Sequence, residues 1–281
     1  MKMTLMATKT SIWQWPTLSG RPPLLAVLGP LGVVLLLVVS ANLVEFSFMH
    51  IIRSGRPFID FMQNLLVMPD WVFMPQLLTK MLETVEITLL ATAIALVISF
   101  PLGILAAKNA SPCPLIFNVT RNLLSVIRSL PELVWALVFV SALGLGPLPG
   151  VMALAVVTVG FMGKFFAESI EVVGENAVEG IQAHGANRLQ VIWYSMLPQA
   201  MPDFIGSLLY ILDHNLRAAA ILGLVGAGGI GYDMVMSMRL FNYNRIILIV
   251  MSIYLLVTLL DRLSVRLRMK LIHGQAREAL Q

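Results

Sequence analysis

Long apolar runs without a charged residue limit this chain more than any other feature. Pro22 to Val44 contains no Asp, Glu, Lys, Arg or His, and as a helix it would reach about 34 Å at ~1.5 Å per residue, enough to cross a bilayer. Ile87 to Ala107 is a second such run, and Leu133 to Gly163 a third. The third is too long for one crossing of about 20 residues. Its turn is written at Gly144-Leu-Gly-Pro-Leu-Pro-Gly150, where prolines remove backbone donors and glycines free the chain. Phe204 to Ile230, interrupted by Asp213, His214 and Arg217, and Ile246 to Leu260 supply two more candidates. The pattern predicts an all-α integral membrane protein of six spans. With 58% hydrophobic and 12% charged residues, against about 25% charged in a soluble domain, most of its surface must face lipid.

Six spans place both termini on one side, and the Lys and Arg distribution assigns that side. Twelve basic residues, among them Lys2, Arg21, Arg121 and Arg268, fall on the face that holds the termini, and five (Arg53, Arg56, Lys80, Arg239 and Arg245) on the other. The expectation is a multi-pass protein of a bacterial inner membrane with cytoplasmic termini. Residues 1–21 form a cytoplasmic tail, 22–44 an uncleaved anchor helix, 45–81 an external loop, 82–263 the core, and 264–281 a basic cytoplasmic tail. Lys2, Lys9 and Arg21 resemble the basic region of a signal peptide, but the apolar run after them exceeds the usual ~7–15 residues. The external segment, with Pro57, Pro69, Pro75, Trp71 and Phe73, reads as a connector or a short interfacial lid and is too small for a ligand-binding domain. A dedicated receptor must then be another polypeptide.

Several function classes drop out. A formal charge of +4, dispersed along the chain, gives no nucleic-acid groove. The lone Cys113 forms no disulfide framework or cysteine-rich metal site within one chain and reads as a small buried apolar residue. Gly226-Ala-Gly-Gly-Ile-Gly231 satisfies the dinucleotide pattern, yet no βαβ unit surrounds it, so Gly226, Gly228, Gly229 and Gly231 read as sites of close packing or a bend. His184 and His214 lack metal-ligand spacing. An intramembrane enzyme therefore stands only as the competing class.

Between the fourth and fifth spans, residues 174–199 are too polar to span and unlike a flexible linker. Gly185 offers a compact break, Asn187 a cap, and Gly185, Leu189, Ile192 and Met196 one face at helical spacing, with Pro198 ending the run. A helix–Gly–helix knob at a membrane surface suits a groove on a partner. This segment resembles the signature loop of ABC importer permeases, Glu-Ala-Ala, three residues, Gly, nine residues, Ile, one residue, Leu-Pro. Glu179, Gly185, Leu197 and Pro198 match, while Gly180, Ile181 and Ser195 depart from it. Over Leu82 to Leu263 the chain is similar to the phosphonate and phosphite branch, on Arg128-Ser-Leu-Pro-Glu-Leu-Val-Trp-Ala136, Gly163-Lys-Phe-Phe-Ala-Glu168, Leu197-Pro-Gln-Ala-Met-Pro202 and Arg217 to Gly231. The methionine branch shares the Arg-Ser-x-Pro and Gly-Ala-Gly-Gly-x-Gly elements.

The resemblance implies a type I importer permease, five core helices plus an anchor helix, working as a homodimer with a cytoplasmic ATPase dimer and an extracytoplasmic binding protein. The loop would be the coupling helix. ATP and Mg would belong to the ATPase, since this chain has no Gly-x-x-x-x-Gly-Lys-Ser/Thr motif. Charges at membrane depth usually face protein or a watery path, and Arg128, Glu132, Lys164, Glu168 and Arg217 are the candidates. Lys164 with Glu168, Arg128 with Glu132, and Asp213 with Arg217 each stand four apart and can pair along a helix. Arg217 is the candidate cation for an oxyanion's route.

Overall fold

The computed structural model describes residues 24–44, 48–65 and 67–278, and these contain helices and turns but no strand. The expected tail at residues 1–21 lies outside them. The chain divides into two units, Met1–Met62 and Gln63–Gln281. In the first, α1 (Leu24–Leu43) lies within the uncharged run expected as an anchor and is 20 residues or about 30 Å long. α2 (Phe48–Leu65) falls where a loop was expected. Alternation of apolar and polar side chains at helical period explains it, and Pro57 is tolerated within the helix.

The second unit is a helical bundle built on α3 (Met74–Ala106), α6 (Pro147–Glu171) and α9 (Leu197–Leu222). Among the described residues, four helical runs are long and apolar enough to cross a membrane: Trp71–Ala106, Pro147–Glu171, Arg188–Val225 and Tyr243–Arg266. A bent pair, α4 (Pro114–Ser129) with α5 (Glu132–Leu143), makes a fifth if the two count as one span. α5 was expected to cross alone, but its 12 residues reach only about 18 Å. The two helices meet at 83° because Leu130, preceding Pro131, is extended (φ −99°, ψ 131°), as proline requires of its neighbour. The Trp135 indole donates to the freed Ile127 carbonyl at 3.3 Å.

α6 occupies the centre, packing on α3, α4, α5 and α9, and it is the most buried span. Small residues allow this. A Cβ on Gly163 would meet the Leu124 side chain at 3.0 Å, and one on Gly160 the Arg128 stem at 2.9 Å, so α4 lies directly on the α6 backbone. Phe166 stacks on Phe204 with centroids 4.2 Å apart, and Phe100 meets Phe204 edge-on.

The bundle has two distinct ends. At one, the end of α3, residues 107–113, the end of α6, α7 (Glu175–Ala183) and α8 (Arg188–Val191) come together. At the other lie the start of α3, the Gly144–Gly146 turn, Gly223–Gly229, α10 (Ile230–Arg239) and the start of α11 (Tyr243–Glu278). Residues 264–278 are the C-terminal part of α11. The segment 45–81, expected as an external loop, includes the first two turns of α3.

Candidate functional site

The knob at the first end is built from local capping chemistry. α7 packs Val178 and Ile181 against the main core and leaves Glu179 exposed. It closes at His184, whose Nδ1 lies 2.8 Å from the Gly180 carbonyl oxygen, and Gly185 follows at φ +81°. That left-handed turn is nearly free for glycine alone. Asn187 then caps α8 reciprocally: its Oδ1 accepts from the Gln190 amide at 2.9 Å, and Gln190 Oε1 accepts from the Asn187 amide at 2.8 Å.

Two expectations for this segment change. Of the face expected at Gly185, Leu189, Ile192 and Met196, only Ile192 and Met196 are buried; Gly185 is exposed and Leu189 is 64% exposed, and Val191 and Ser195 complete the buried face. Pro198 does not end the run. Ile192–Met196 forms a π turn, with the Leu197 amide donating to the Ile192 carbonyl, and this wider register carries the helix past a residue with no N–H. Leu197 is buried and Pro198 exposed in the first turn of α9. The knob thus joins a single helical run, Arg188–Val225.

The knob is fastened to the bundle by charge. Arg188 donates to the Ser111 and Pro112 carbonyls. Glu171 accepts from the Lys108 amide at 2.8 Å and pairs with Arg121 at 2.8 Å, while Asn109 donates to the Ile170 carbonyl. Cys113, expected inside, is exposed beside this junction.

Within the spans the structure separates the charged candidates. Arg217 pairs with Asp213 at 2.6 Å, and its side chain remains 47% exposed. Asp213 Oδ1 is buried without a hydrogen-bond partner. Arg128 and Glu132 form no ion pair, because the 83° bend lies between them; the Arg128 guanidinium instead lies 4.6 Å above the Phe161 ring. Glu132 faces a cavity of about 70 Å³ shared with Phe161, Tyr210, His214 and Asn215. Lys164, half-buried, and Glu168, exposed, share no ion pair either. Arg128, Glu132 and Phe161 therefore gather beside His214 of α9, while Arg217 stands one turn beyond His214 on that helix. Asp203, Tyr210, His214, Arg217 and Ile221 run down an accessible side of α9 at helical spacing, mixing charge into a face that lipid would not favour.

Sequence reading missed a buried polar seam. Thr84, Thr88 and Thr92 stand at every fourth residue of α3, each hydroxyl donating to the carbonyl four residues back. Asn215 ties three helices together, donating to Thr92 Oγ1 at 2.9 Å and accepting from Thr158 Oγ1 at 3.1 Å. The seam ends on the glycine turn. Glu83 Oε1 accepts from the Gly229 amide and Thr84 Oγ1 from the Ile230 amide, both at 2.9 Å, and Lys80 holds the other Glu83 oxygen at 2.6 Å. Gly226, Gly228 and Gly229 all have positive φ. A Cβ on Gly231 would overlap the Ala220 carbonyl oxygen. The glycine motif is thus a hinge-like turn between α9 and α10, beyond the expected fifth span's true end. The signal available in the sequence was the Thr-x-x-x-Thr-x-x-x-Thr spacing inside an apolar run. No group of His, Cys, Asp and Glu able to hold a metal occurs among the described residues.

Comparison with known proteins agrees with this architecture. The phosphite transport system permease protein PtxC of Stutzerimonas stutzeri is 39% identical over 84% of this chain and 85% of its own length. The phosphate-import permease protein PhnE of Mycolicibacterium smegmatis is 41% identical over 70% of this chain but 37% of its own length. Among solved structures, a chain of the MetNI methionine ABC transporter in an inward-facing conformation superposes with a TM-score of 0.64, covering 72% of this chain and 99% of that one at 21% identity. Residues 99–273 match the family of binding-protein-dependent transport system inner membrane components, and the chain belongs to that family of ABC importer permease subunits.

Proposed function

We propose that this permease admits a small phosphorus oxyanion, with phosphite, a phosphonate or phosphate as its cargo, and that the knob at Glu175–Pro198 receives the stroke of a cytoplasmic ATPase. One observation carries the coupling reading. The knob exposes Glu179, Gly185 and Leu189 while Arg188 and the buried Val191, Ile192 and Met196 fix it to the bundle, so a push there is transmitted through α9 instead of being absorbed by a loose loop. The relatives named for phosphite and phosphate transport support the cargo class. On this reading the knob end is cytoplasmic, and both termini lie on that side. The opposite end meets a separate binding protein, two copies of the chain form the pathway, and ATP with Mg is bound by the ATPase dimer.

The pathway wall is the α9 face carrying Arg217, completed by Arg128 and Glu132 beside the cavity, with Lys164 and Glu168 farther along α6. A cation already partly neutralised, as Arg217 is by Asp213, suits transit, since a site that held the anion tightly would slow its release. Reconstitution with the ATPase and binding protein tests the coupling. Glu179→Arg should abolish ATP-driven uptake while the chain still inserts and folds, and unchanged uptake would sink the assignment. Parallel uptake of phosphite, methylphosphonate, phosphate and methionine tests the cargo, and methionine as the only transported solute would overturn it.

A further inference from the structure

α2 has no counterpart among the span-length helices, yet its sequence is sorted with care. At 3.6 residues per turn, Phe48, Ile51, Ile52, Phe58, Ile59, Met62 and Leu65 fall within one arc of about 140°. Arg53, Arg56, Asp60, Gln63 and Asn64 occupy the opposite side, where Met49 is the one apolar residue. Phe58 is 62% exposed and Ile59 54% exposed, so the apolar arc is not taken up by this chain at those positions. Such a face needs a cover.

The flanks of α2 indicate which. α1 ends at Leu43 and α2 begins at Phe48, a step that spans at most about 18 Å even when fully extended. The helix therefore starts close to the surface from which the anchor segment emerges. On its far side Met68, Trp71 and Val72 are all exposed, and Trp71 opens the next span-length run. An exposed tryptophan with apolar neighbours at the head of a span marks the bilayer boundary, where indole is favoured. A helix of about 27 Å, with membrane segments before and after it and one wholly apolar side, matches the pattern of helices that lie in the headgroup layer.

We infer that α2 is an interfacial helix that lies along the membrane surface, its apolar arc immersed at the acyl boundary and Arg53 and Arg56 facing the phosphates of anionic lipid headgroups. It would then act as a float that fixes the height of the α1–α3 connection against the bilayer. This inference needs only the membrane-spanning character of the chain and is independent of the cargo.

Site-directed spin labelling of the full chain tests it directly. In a Cys113→Ser background, Phe58→Cys and Met62→Cys report the apolar arc, Asp60→Cys and Asn64→Cys the polar one, and Leu89→Cys, exposed within a span, supplies a lipid standard. The labelled proteins are placed in vesicles of phosphatidylcholine with phosphatidylglycerol and probed with oxygen, which partitions into lipid, and a nickel chelate, which stays in water. Expected is a shift towards the Leu89 standard at 58 and 62, with loss of nickel collisions there, and retained nickel collisions at 60 and 64. Nickel access at all four positions would overturn the proposal by placing α2 in water. Shielding of 58 and 62 from both probes would overturn it by showing a protein cover.

Discussion

Asn215 joins three helices through one buried side chain. It is 2% exposed and bonds Thr92 of α3 and Thr158 of α6 from its place on α9, so one side chain fixes the mutual height of three helices. Interhelical hydrogen bonds in membranes average about 0.6 kcal/mol and reach about 1.7. Asn215→Leu should therefore destabilise the folded chain by about 1 to 3 kcal/mol for two such bonds, read as a lowered midpoint of unfolding in detergent. Thr92→Val should show part of that loss. Asp233 of α10 gives a second, pH-dependent expectation. Burial pushes its carboxyl above the ordinary range, with Glu83 acting in the same direction while Lys80 and Arg245 oppose. The native state then holds this proton more tightly than the unfolded chain, so stability is lost as pH rises from the unfolded pKa through the native one. Asp233→Asn should remove that loss, making the variant the more stable protein at neutral pH and equal to the parent in acid. A parent whose unfolding midpoint does not fall relative to Asp233→Asn across this window would contradict the expectation.

At the scale of elements, the turn of the knob is shaped by a left-handed residue and a capping box, while its inner face packs on the core. A Cβ on Gly185 would meet nothing within 4 Å, so substitution there acts through φ alone. A bulky L-residue in this conformation costs about 1 to 2 kcal/mol, whereas asparagine tolerates it. Gly185→Val should therefore uncouple ATP hydrolysis from uptake more severely than Gly185→Asn, while both chains keep the thermal stability of the bundle. The ratio of uptake to hydrolysis in proteoliposomes measures this. The knob was legible in the sequence because glycine, asparagine and glutamine at fixed offsets write a turn and a cap locally. The span count was less so. Hydropathy located the runs at 87–107 and 133–163 but could not show that α5 is too short to cross alone and turns away from α4 to pack on α6, since that depends on how Pro131 directs the chain. Likewise Pro198 reads as a stop, and only the π turn before it turns the stop into a continuation. α2 was hidden by Pro57, although its period was present.

For the whole molecule the decisive question is why a membrane span should leave Arg217 accessible. Its partner Asp213 is nearly buried, at 12% exposure, and the guanidinium projects beyond it. On an isolated helix in lipid this arrangement would carry a penalty of several kcal/mol. A second copy placing the same face opposite would enclose a polar route instead, and would set two such cations along it by symmetry. The structural and transport roles of the pair must be separated, because Arg217→Ala alone leaves a buried carboxylate without its counter-ion and is expected to destabilise the fold. Asp213→Asn with Arg217→Gln removes both charges at nearly constant volume. The double variant should therefore assemble with the ATPase and hydrolyse ATP at close to the parental rate. Its oxyanion uptake should fall by about tenfold or more if the cation contributes at least ~1.4 kcal/mol to lowering the transit barrier. Equal uptake by the double variant and the parent would leave the ion pair as a device for inserting α9, and the route would then have to run past Arg128 and Glu132 instead.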